Sequence, residues 1–267
     1  MKITMFGALH IEDGERRLRG GDLGGAKPRA LLELLLLARG RTVGKEQLAD
    51  VLWGDQPPQH AAGTLEHYVS LLRRRMFTDQ RHAKRVIVTE PGAYRLDTSL
   101  IELDLDEFDR LVRQADFDEE HRTTHLRRAV LLAGADLLDD APFAPWAGAA
   151  RDRYRASVAR AHLALARDAL AARRFQSAVH HAEEGLRSAP YSEEAYRIVM
   201  VADHAAGHSD LVRTAFHRCR QILADDLGVD PTGETEAVAA AVDAGVPAEE
   251  LLRAFLDRSM VTVAHAA

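Results

Sequence analysis

The chain has 267 residues, of which 46% are hydrophobic and 28% charged, as expected for a globular protein with room for two domains. It has no run of about 18 apolar residues, and residues 1–14 lack the apolar core of a signal peptide, so we expect a cytoplasmic protein without a membrane span. The single cysteine, Cys219, excludes an internal disulfide and is predicted to be a small buried hydrophobic residue.

The formal net charge of −6 is distributed unevenly along the chain. Residues 1–100 hold 16 Lys and Arg against 12 Asp and Glu, whereas residues 101–267 hold 19 against 29. A basic front and an acidic back indicate two modules with different partners. The net charge of the whole chain therefore does not exclude nucleic acid as a partner of the front module.

The front module is predicted to contain a short β region, three helices and a closing hairpin. Residues 2–12 are β-like, and a glycine-rich stretch then leads to an apolar helix over 29–40. A second helix is predicted at about 44–53 and a third at 64–76, and β-formers around the turn EPGA predict a hairpin over 84–96. This order is typical of a winged helix-turn-helix, with another small α+β domain as the alternative.

The third predicted helix has two chemically different faces. Leu65, Val69, Leu72 and Met76 recur at helical spacing and predict its buried face. The opposite face carries hydrogen-bonding side chains that can reach one groove of DNA: His67, Ser70 and Arg74. Arginine can bridge guanine O6 and N7, and serine or histidine can bond base edges or phosphates. A basic helix that is merely solvated is the alternative, and the hairpin that follows favours DNA.

The back module is helical in pattern from residue 104 onward. Segments 172–186 and 206–221 superpose at an offset of 34 residues, the period of a tetratricopeptide repeat. The superposition matches Arg173 with Gly207, Ala178 with Val212, Ala182 with Phe216 and Gly185 with Cys219. Further helices are predicted over 125–137 and 245–260, the latter followed by a frayed tail.

The sequence offers no Walker, Gly-x-Ser-x-Gly or Cys–His pattern, so we expect neither enzyme activity nor a cofactor. Histidines are frequent in the repeat region: His180, His181, His204, His208 and His217. They lack a His-Glu-x-x-His pattern, and we interpret them as a histidine-rich helix surface with no metal. Acidic clusters such as DLDEFD lie at helix starts and in loops and are expected to be solvated.

Several ordered blocks of the sequence resemble the Streptomyces antibiotic regulatory protein (SARP) family. They are KPRALLELLLLARGRTVGKEQLADVLWGDQPP, AAGTLEHYVSLLRRRM, VTEPGAYRL, IELDLDEFDRLV, HLRRAVLLAGADLLDDAPFAPWA and LADDLGVDPTGET. The resemblance covers residues 3 to about 240. It implies an OmpR-type winged helix over 1–98, an all-α, tetratricopeptide-like bacterial transcriptional activation domain over 104–243, and a C-terminal helix and tail over 244–267.

The resemblance implies an activator of a biosynthetic gene cluster that binds direct repeats in double-stranded promoter DNA and recruits RNA polymerase holoenzyme. It also implies that two copies can form a dimer on that DNA. Its DNA-contacting positions carry over to Thr64, His67, Tyr68, Ser70, Arg73 and Arg74 on the third helix and to Thr89, Tyr94 and Arg95 on the wing. Lys45 and Arg75 are predicted in addition as phosphate contacts. A loop over 53–59, with Trp53, Asp55, Gln56 and Gln59, corresponds to the loop through which related winged helices touch polymerase.

Three positions depart from the family pattern. Leu71 stands where the family often has arginine, Glu90 adds a negative charge to the wing, and Ala93 shifts the wing turn. Two other functions remain open from the sequence. One is a tetratricopeptide-type adaptor that binds a protein, and the other is a repressor that uses the same DNA contacts.

Overall fold

A computed structural model describes the backbone of residues 1–264 and the side chains of residues 1–257, so residues 265–267 of the predicted tail lie outside the described residues. Seven strands and four helices precede residue 104 in the described chain, and eight helices follow. Within the same range, every helix is too short or too polar to cross a lipid bilayer.

The described chain divides into two compact units. The first unit comprises residues 1–113 and 131–154. The second unit comprises residues 114–130 and those from 155 onward. The first unit therefore extends past residue 98, where the sequence predicted the winged helix to end.

The first unit begins with a small β-sheet. Its strands are β1 (Lys2–Thr4), β2 (His10–Asp13), β3 (Arg16–Arg19) and β7 (Glu102–Leu103). They lie in the order β3-β2-β1-β7, with β7 parallel to β1 and the other pairs antiparallel. Strands β3 and β7 were not predicted, because RRLR is too polar and Glu102–Leu103 too short to show strand periodicity.

A winged helix-turn-helix follows this sheet. Its elements are α1 (Ala26–Leu37), β4 (Val43–Gly44), α2 (Lys45–Trp53), α3 (Ala61–Met76), α4 (Gln80–Val86), β5 (Ile87–Glu90) and β6 (Ala93–Leu96). Strands β5 and β6 form the antiparallel wing hairpin, and β4 pairs with β6 on its other side. The predicted fold class, an α+β winged helix followed by a helical region, is confirmed.

The helix α4 was missed by the sequence analysis. It begins where the side chain of Asp79 accepts a hydrogen bond from the backbone N–H of Arg81 at 2.8 Å, as an N-cap does. The hairpin predicted from residue 84 therefore starts at Ile87, three residues later, because Ala83 and Val86 bury the inner face of this short helix.

Helix α3 buries the face that the sequence predicted. Leu65, Val69, Leu72 and Met76 are its buried residues, and each is at most 1% exposed. Their burial fixes the rotation of α3 about its axis. The opposite side of the helix is thereby left to solvent.

The first unit extends past residue 98 because later residues complete its core. The buried carboxylate of Asp104 accepts backbone N–H bonds from Met5 and Phe6, at 2.7 and 2.8 Å. The ring of Phe6 packs against Phe108 and Tyr154, with centroids 5.3 and 5.4 Å away. The strand β1 and the residues after it thus need partners from beyond the predicted boundary.

The second unit is helical. Helices α5 (Asp104–Phe117), α6 (Arg122–Leu132) and α7 (Gly148–Ala171) each contain a boundary between the units. The remaining helices are α8 (Phe175–Ser188), α9 (Glu193–Ala205), α10 (Ser209–Leu227), α11 (Gly233–Asp243) and α12 (Ala248–Ala264). The helix predicted over 125–137 starts three residues earlier and ends at Leu132.

The structure confirms the internal repeat in this unit. Arg173 and Gly207, which the offset of 34 matches, both adopt positive φ, at 57° and 86°, in the turns before α8 and α10. The paired positions that follow are also equivalent: Ala178, Val212, Ala182, Gly185 and Cys219 are buried, and Phe216 is half-buried. The same backbone turn and the same buried helix positions recur after one repeat. Cys219 is buried as predicted, and burial raises its pKa to about 11.

Candidate nucleic-acid interface

The outer stripe of α3 consists of His67, Ser70 and Arg74. All three side chains are exposed. The Arg74 guanidinium donates to Ser70 Oγ at 3.4 Å, a long hydrogen bond that a better acceptor can replace. The stripe therefore offers hydrogen-bonding groups that duplex DNA can meet without disturbing the core.

Arg73 connects α3 to the wing hairpin. Its guanidinium donates to the backbone carbonyl of Ile87 and to Oγ1 of Thr89, the latter at 2.9 Å. The side chain is half-buried, which is uncommon for arginine and is compensated here by these bonds. Arg73 thus ties α3 to β5, and a phosphate contact would have to share its donors with β5.

Lys45 joins the start of α2 to both neighbouring elements. Its backbone N–H donates to Gly92 O at 2.8 Å, at the wing turn. Its ammonium bonds Glu66 Oε1 on α3 at 2.7 Å and lies 5.4 Å from the centre of the Tyr94 ring. The hydrogen bond to Glu66 raises the pKa of Lys45, so the side chain is cationic at neutral pH.

The wing carries an acid whose two oxygens are both bonded. Glu90 accepts from Thr42 Oγ1 at 2.8 Å and from Arg95 Nε at 3.0 Å. The bond from Thr42, and then the bond from Arg95, lower the pKa of Glu90. The negative charge that Glu90 brings to the wing is therefore locally balanced by Arg95.

The predicted DNA contact at Tyr94 is wrong for this conformation. The residue is 1% exposed, and its ring supports the wing from inside, beneath Lys45. An alternating strand turns every second side chain inward, and in β6 that inward side is occupied by Tyr94 and Leu96. Tyr94 positions the interface and does not reach its surface.

The other predicted positions lie at the surface of the same region. Thr64 is half-buried in the first turn of α3 and donates to His60 O at 3.1 Å. Tyr68 is half-buried with its ring 6.2 Å from that of Trp53. Arg75 and Thr89 are exposed, and Arg95 is half-buried. The structure brings α3, the wing and the start of α2 together on one side of the first unit.

Leu71 has a packing role that explains its departure from arginine. A Cβ added at Gly24 would lie 2.5 Å from Leu71 Cδ2, so the leucine occupies the space that the glycine leaves. Gly24 has φ of 95°, a conformation that favours glycine. An apolar side chain at position 71 thus closes α3 against the loop that precedes α1.

The predicted polymerase loop lies between α2 and α3. Asp55, Gln56 and Gln59 are exposed, and Trp53 is half-buried at the end of α2. The loop starts at Gly54, whose N–H bonds Asp50 O at 2.8 Å and whose φ is 56°. Three of the four predicted contact residues are therefore exposed to solvent, and the indole of Trp53 lies near the Tyr68 ring.

Two features of this surface were missed by the sequence analysis. Helix α4 exposes three cations close in sequence to the wing: Arg81, Lys84 and Arg85. Glu66 was not among the predicted contacts, yet it accepts a hydrogen bond from Lys45 at this surface. An Asp N-cap ahead of a basic run, DQRHAKR, was the signal available for α4.

The comparisons with known proteins divide the chain in two. The model described as "Transcriptional regulatory protein, C terminal" matches residues 24–96, which hold the winged helix. The model described as "Bacterial transcriptional activator domain" matches residues 103–243, more than half of the chain.

Similar proteins carry regulatory names. The regulatory protein AfsR of Streptomyces griseus is 29% identical over 88% of this chain, which spans only 24% of AfsR. The transcriptional regulatory protein MoaR1 of Mycobacterium tuberculosis is 27% identical over 89% of this chain and 79% of MoaR1.

A solved structure shares the fold. It is titled "Mycobacterium tuberculosis EmbR in complex with low affinity phosphopeptide" and is 24% identical with a TM-score of 0.77, covering 98% of this chain and 70% of that one. At this identity the likeness concerns the fold. With both family models matched in order, the chain belongs to the SARP family of transcriptional regulators, with an OmpR-type winged helix and a bacterial transcriptional activator domain.

Proposed function

We propose that this regulator acts in the cytoplasm as a sequence-specific activator of a biosynthetic gene cluster. The observation that carries the proposal is the exposed outer stripe of α3, His67, Ser70 and Arg74, held in position by four buried residues on the opposite face of the same helix. In a winged helix the corresponding helix lies in the major groove and reads base edges.

The hydrogen bonds that each side chain makes within the protein indicate whether it would contact bases or phosphates. The Arg74 guanidinium, whose only hydrogen bond within the described residues is the long one to Ser70, is free to bridge guanine O6 and N7. Arg75 and Lys45 flank the stripe and would meet phosphates, and Arg73 holds Thr89 at the phosphate wall. The outer stripe thus reads base edges, and the cations beside it, Arg75 and Lys45, fix the register.

Binding to tandem half-sites would offset a modest affinity per copy. The first 100 residues carry only four more basic than acidic residues, and Glu66 and Glu90 lie at the interface itself. Non-specific affinity for DNA rises with the number of phosphates neutralised, so one copy gains little from charge alone. Two copies on a direct repeat would gain from each other through effective concentration.

The DNA test uses the full chain and a pool of random duplexes. Selection should enrich a repeated motif, and Arg74→Ala should lower affinity for that motif at least about ten-fold, since a bidentate contact to guanine is lost. Arg81→Ala, an exposed arginine outside the stripe, serves as the control and should retain the selectivity. Equal selectivity in wild type and Arg74→Ala would remove the outer stripe from base reading.

The loop between α2 and α3 is the proposed contact with RNA polymerase. Asp55→Ala and Gln56→Ala change exposed residues away from the outer stripe, so both variants should bind the selected DNA as wild type does. Transcription in vitro with purified polymerase holoenzyme should nevertheless fall. Full activation by both variants would show that polymerase is contacted outside this loop. Lowered transcription in the presence of the wild-type chain would identify a repressor.

A further inference from the structure

We infer that Glu66 is a specificity-determining residue that selects cytosine in the DNA site, an inference that rests on the proposed DNA-binding function. The residue lies on α3 one turn before Ser70, and its side chain is 62% exposed. In helix-turn-helix proteins the N-terminal part of the recognition helix approaches the base edges most closely. Glu66 belongs to that part of α3, which begins at Ala61.

The carboxylate of Glu66 is oriented by a fixed cation. Lys45 bonds its Oε1 at 2.7 Å, and the lysine is itself held by its backbone bond to Gly92 and by the ring of Tyr94. Within the described residues, no hydrogen bond uses Oε2 of Glu66. One oxygen of an oriented carboxylate is therefore available to a donor on DNA.

Base chemistry decides which donor fits. An ionised carboxylate only accepts hydrogen bonds, so it is repelled by guanine O6 and N7, by thymine O4 and by phosphates. In the major groove, the N4 amino group of cytosine is the donor that glutamate and aspartate accept from. Adenine offers an amino group beside the N7 acceptor, which suits a side-chain amide better.

Lys45 also reduces the repulsion between Glu66 and the phosphates of DNA. Bonded to Glu66, its charge offsets that of the carboxylate, and the same ammonium has further donors for a neighbouring phosphate. The acid on the wing, Glu90, differs because both of its oxygens are already bonded by Thr42 and Arg95. Glu66 is thus suited to reading a base, whereas Glu90 has no oxygen left without a partner.

The test compares the sequences selected from a random duplex pool by full-length wild type, Glu66→Gln and a control, Glu12→Gln, which changes an exposed glutamate of β2 outside the candidate interface. Wild type should enrich cytosine at one position of each half-site, preferring it about ten-fold over the other bases. Glu66→Gln should lose that preference and shift it toward adenine, because glutamine can bond adenine N6 and N7 together. Glu12→Gln should select the same motif as wild type.

The outcomes separate this inference from the proposed function. If wild type selects no motif, the proposed DNA reading fails. If wild type selects a motif and Glu66→Gln selects the same one, the cytosine assignment is overturned while DNA reading stands. If Glu66→Gln binds every sequence more tightly but keeps the wild-type base preferences, Glu66 only repels DNA. This result would also overturn the cytosine assignment.

Discussion

The indole N–H of Trp146 donates a hydrogen bond to the carboxylate of Glu33 at 3.0 Å, although 113 residues separate the two in the chain. Glu33 lies on α1, the central helix of the winged helix, and its side chain is fully buried. Arg29 supplies the second partner at 2.6 Å and also binds Asp140. The buried Glu33 of the winged helix therefore has a hydrogen-bond partner, Trp146, in the segment that matches the bacterial transcriptional activator domain.

Replacing Trp146 by phenylalanine should destabilise the first unit. The substitution keeps an aromatic ring but removes the N–H, so one oxygen of the buried Glu33 carboxylate loses its partner, at a cost of about 1–3 kcal/mol. The midpoint of urea unfolding, followed by circular dichroism, should fall. Trp53→Phe is the control because it leaves Glu33 untouched, and equal midpoints for both variants would contradict this role of Trp146.

This bond also shows which part of the fold the sequence could predict. Local periodicity predicted α1, α2 and α3 and the buried face of α3, because each pattern lies within one helix. The partnership of Glu33 with Trp146 joins residues far apart in the chain, and no local pattern encodes it. A cut after residue 100 would remove both Asp104 and Trp146, so the unit that folds is longer than the winged-helix motif.

A methyl group added at Gly24 should disturb the packing of α3. Gly24→Ala would place Cβ 2.5 Å from Leu71 Cδ2 and would also strain a residue with φ of 95°. We expect a loss of about 2–3 kcal/mol in the free energy of unfolding, from overpacking and backbone strain together.

The matched control for this prediction is Gly14→Ala. Gly14 also has positive φ, at 61°, but nothing lies within 4 Å of an added Cβ. It should cost only the backbone term, about 1 kcal/mol. Urea titrations of both variants measure the difference, and an equal loss would mean that Leu71 moves aside freely. Leu71→Ala combined with Gly24→Ala should recover part of the stability relative to the sum of the single variants.

The candidate interface was predicted in outline and not in its internal bonding. Residue types and helical spacing indicated which side of α3 faces outward, and exposure of the outer stripe agrees with that interpretation. Spacing along one element could not reveal that Arg73 bonds the wing or that Lys45 bonds Glu66, since both pairs join different elements. Tyr94 was misplaced for the same reason, because only the pairing of β6 with β5 and β4 shows which side of the strand is inside.

Removal of Arg75 and removal of Arg95 should change the salt dependence of DNA affinity by different amounts. Arg75 is exposed and has no ion-pair partner among the described residues, whereas Arg95 is paired with Glu90 at 3.0 Å. Arg75→Ala should reduce the slope of log affinity against log salt by about one, the change expected for one lost phosphate contact. Arg95→Ala should change the slope less, because its charge is already offset.

Fluorescence anisotropy with a labelled duplex, measured across a salt series, gives both slopes. A non-cognate duplex should show the same reduction for Arg75→Ala, because a phosphate contact carries no sequence information. If the slope of Arg75→Ala equals that of wild type, the side chain does not meet DNA. If Arg95→Ala shows the larger change, the Glu90 pair opens on binding and the wing contributes more than its resting geometry indicates.

The second unit should lose stability in mild acid through a buried histidine. His162 on α7 is 9% exposed, and its Nδ1 lies 3.3 Å from Nδ1 of His181 on α8. Burial, and then the nearby His181, lower the pKa of His162 to about 4 from an ordinary value of 6.5. The folded unit therefore resists a proton that the unfolded chain accepts, so stability is retained above pH 6.5 and falls as the pH drops toward 4.

The change attributable to His162 reaches about 3 kcal/mol by pH 4 and levels off below that. His162→Gln cannot titrate, so its unfolding free energy should fall less between pH 7 and pH 4 than that of wild type, even if altered packing makes it less stable at pH 7. His181, whose pKa is also lowered by burial, leaves a residual acid dependence in the variant. His217→Gln, an exposed histidine of α10, should follow the wild-type curve, and a His162→Gln curve parallel to wild type would place the acid-sensitive group elsewhere in the unit.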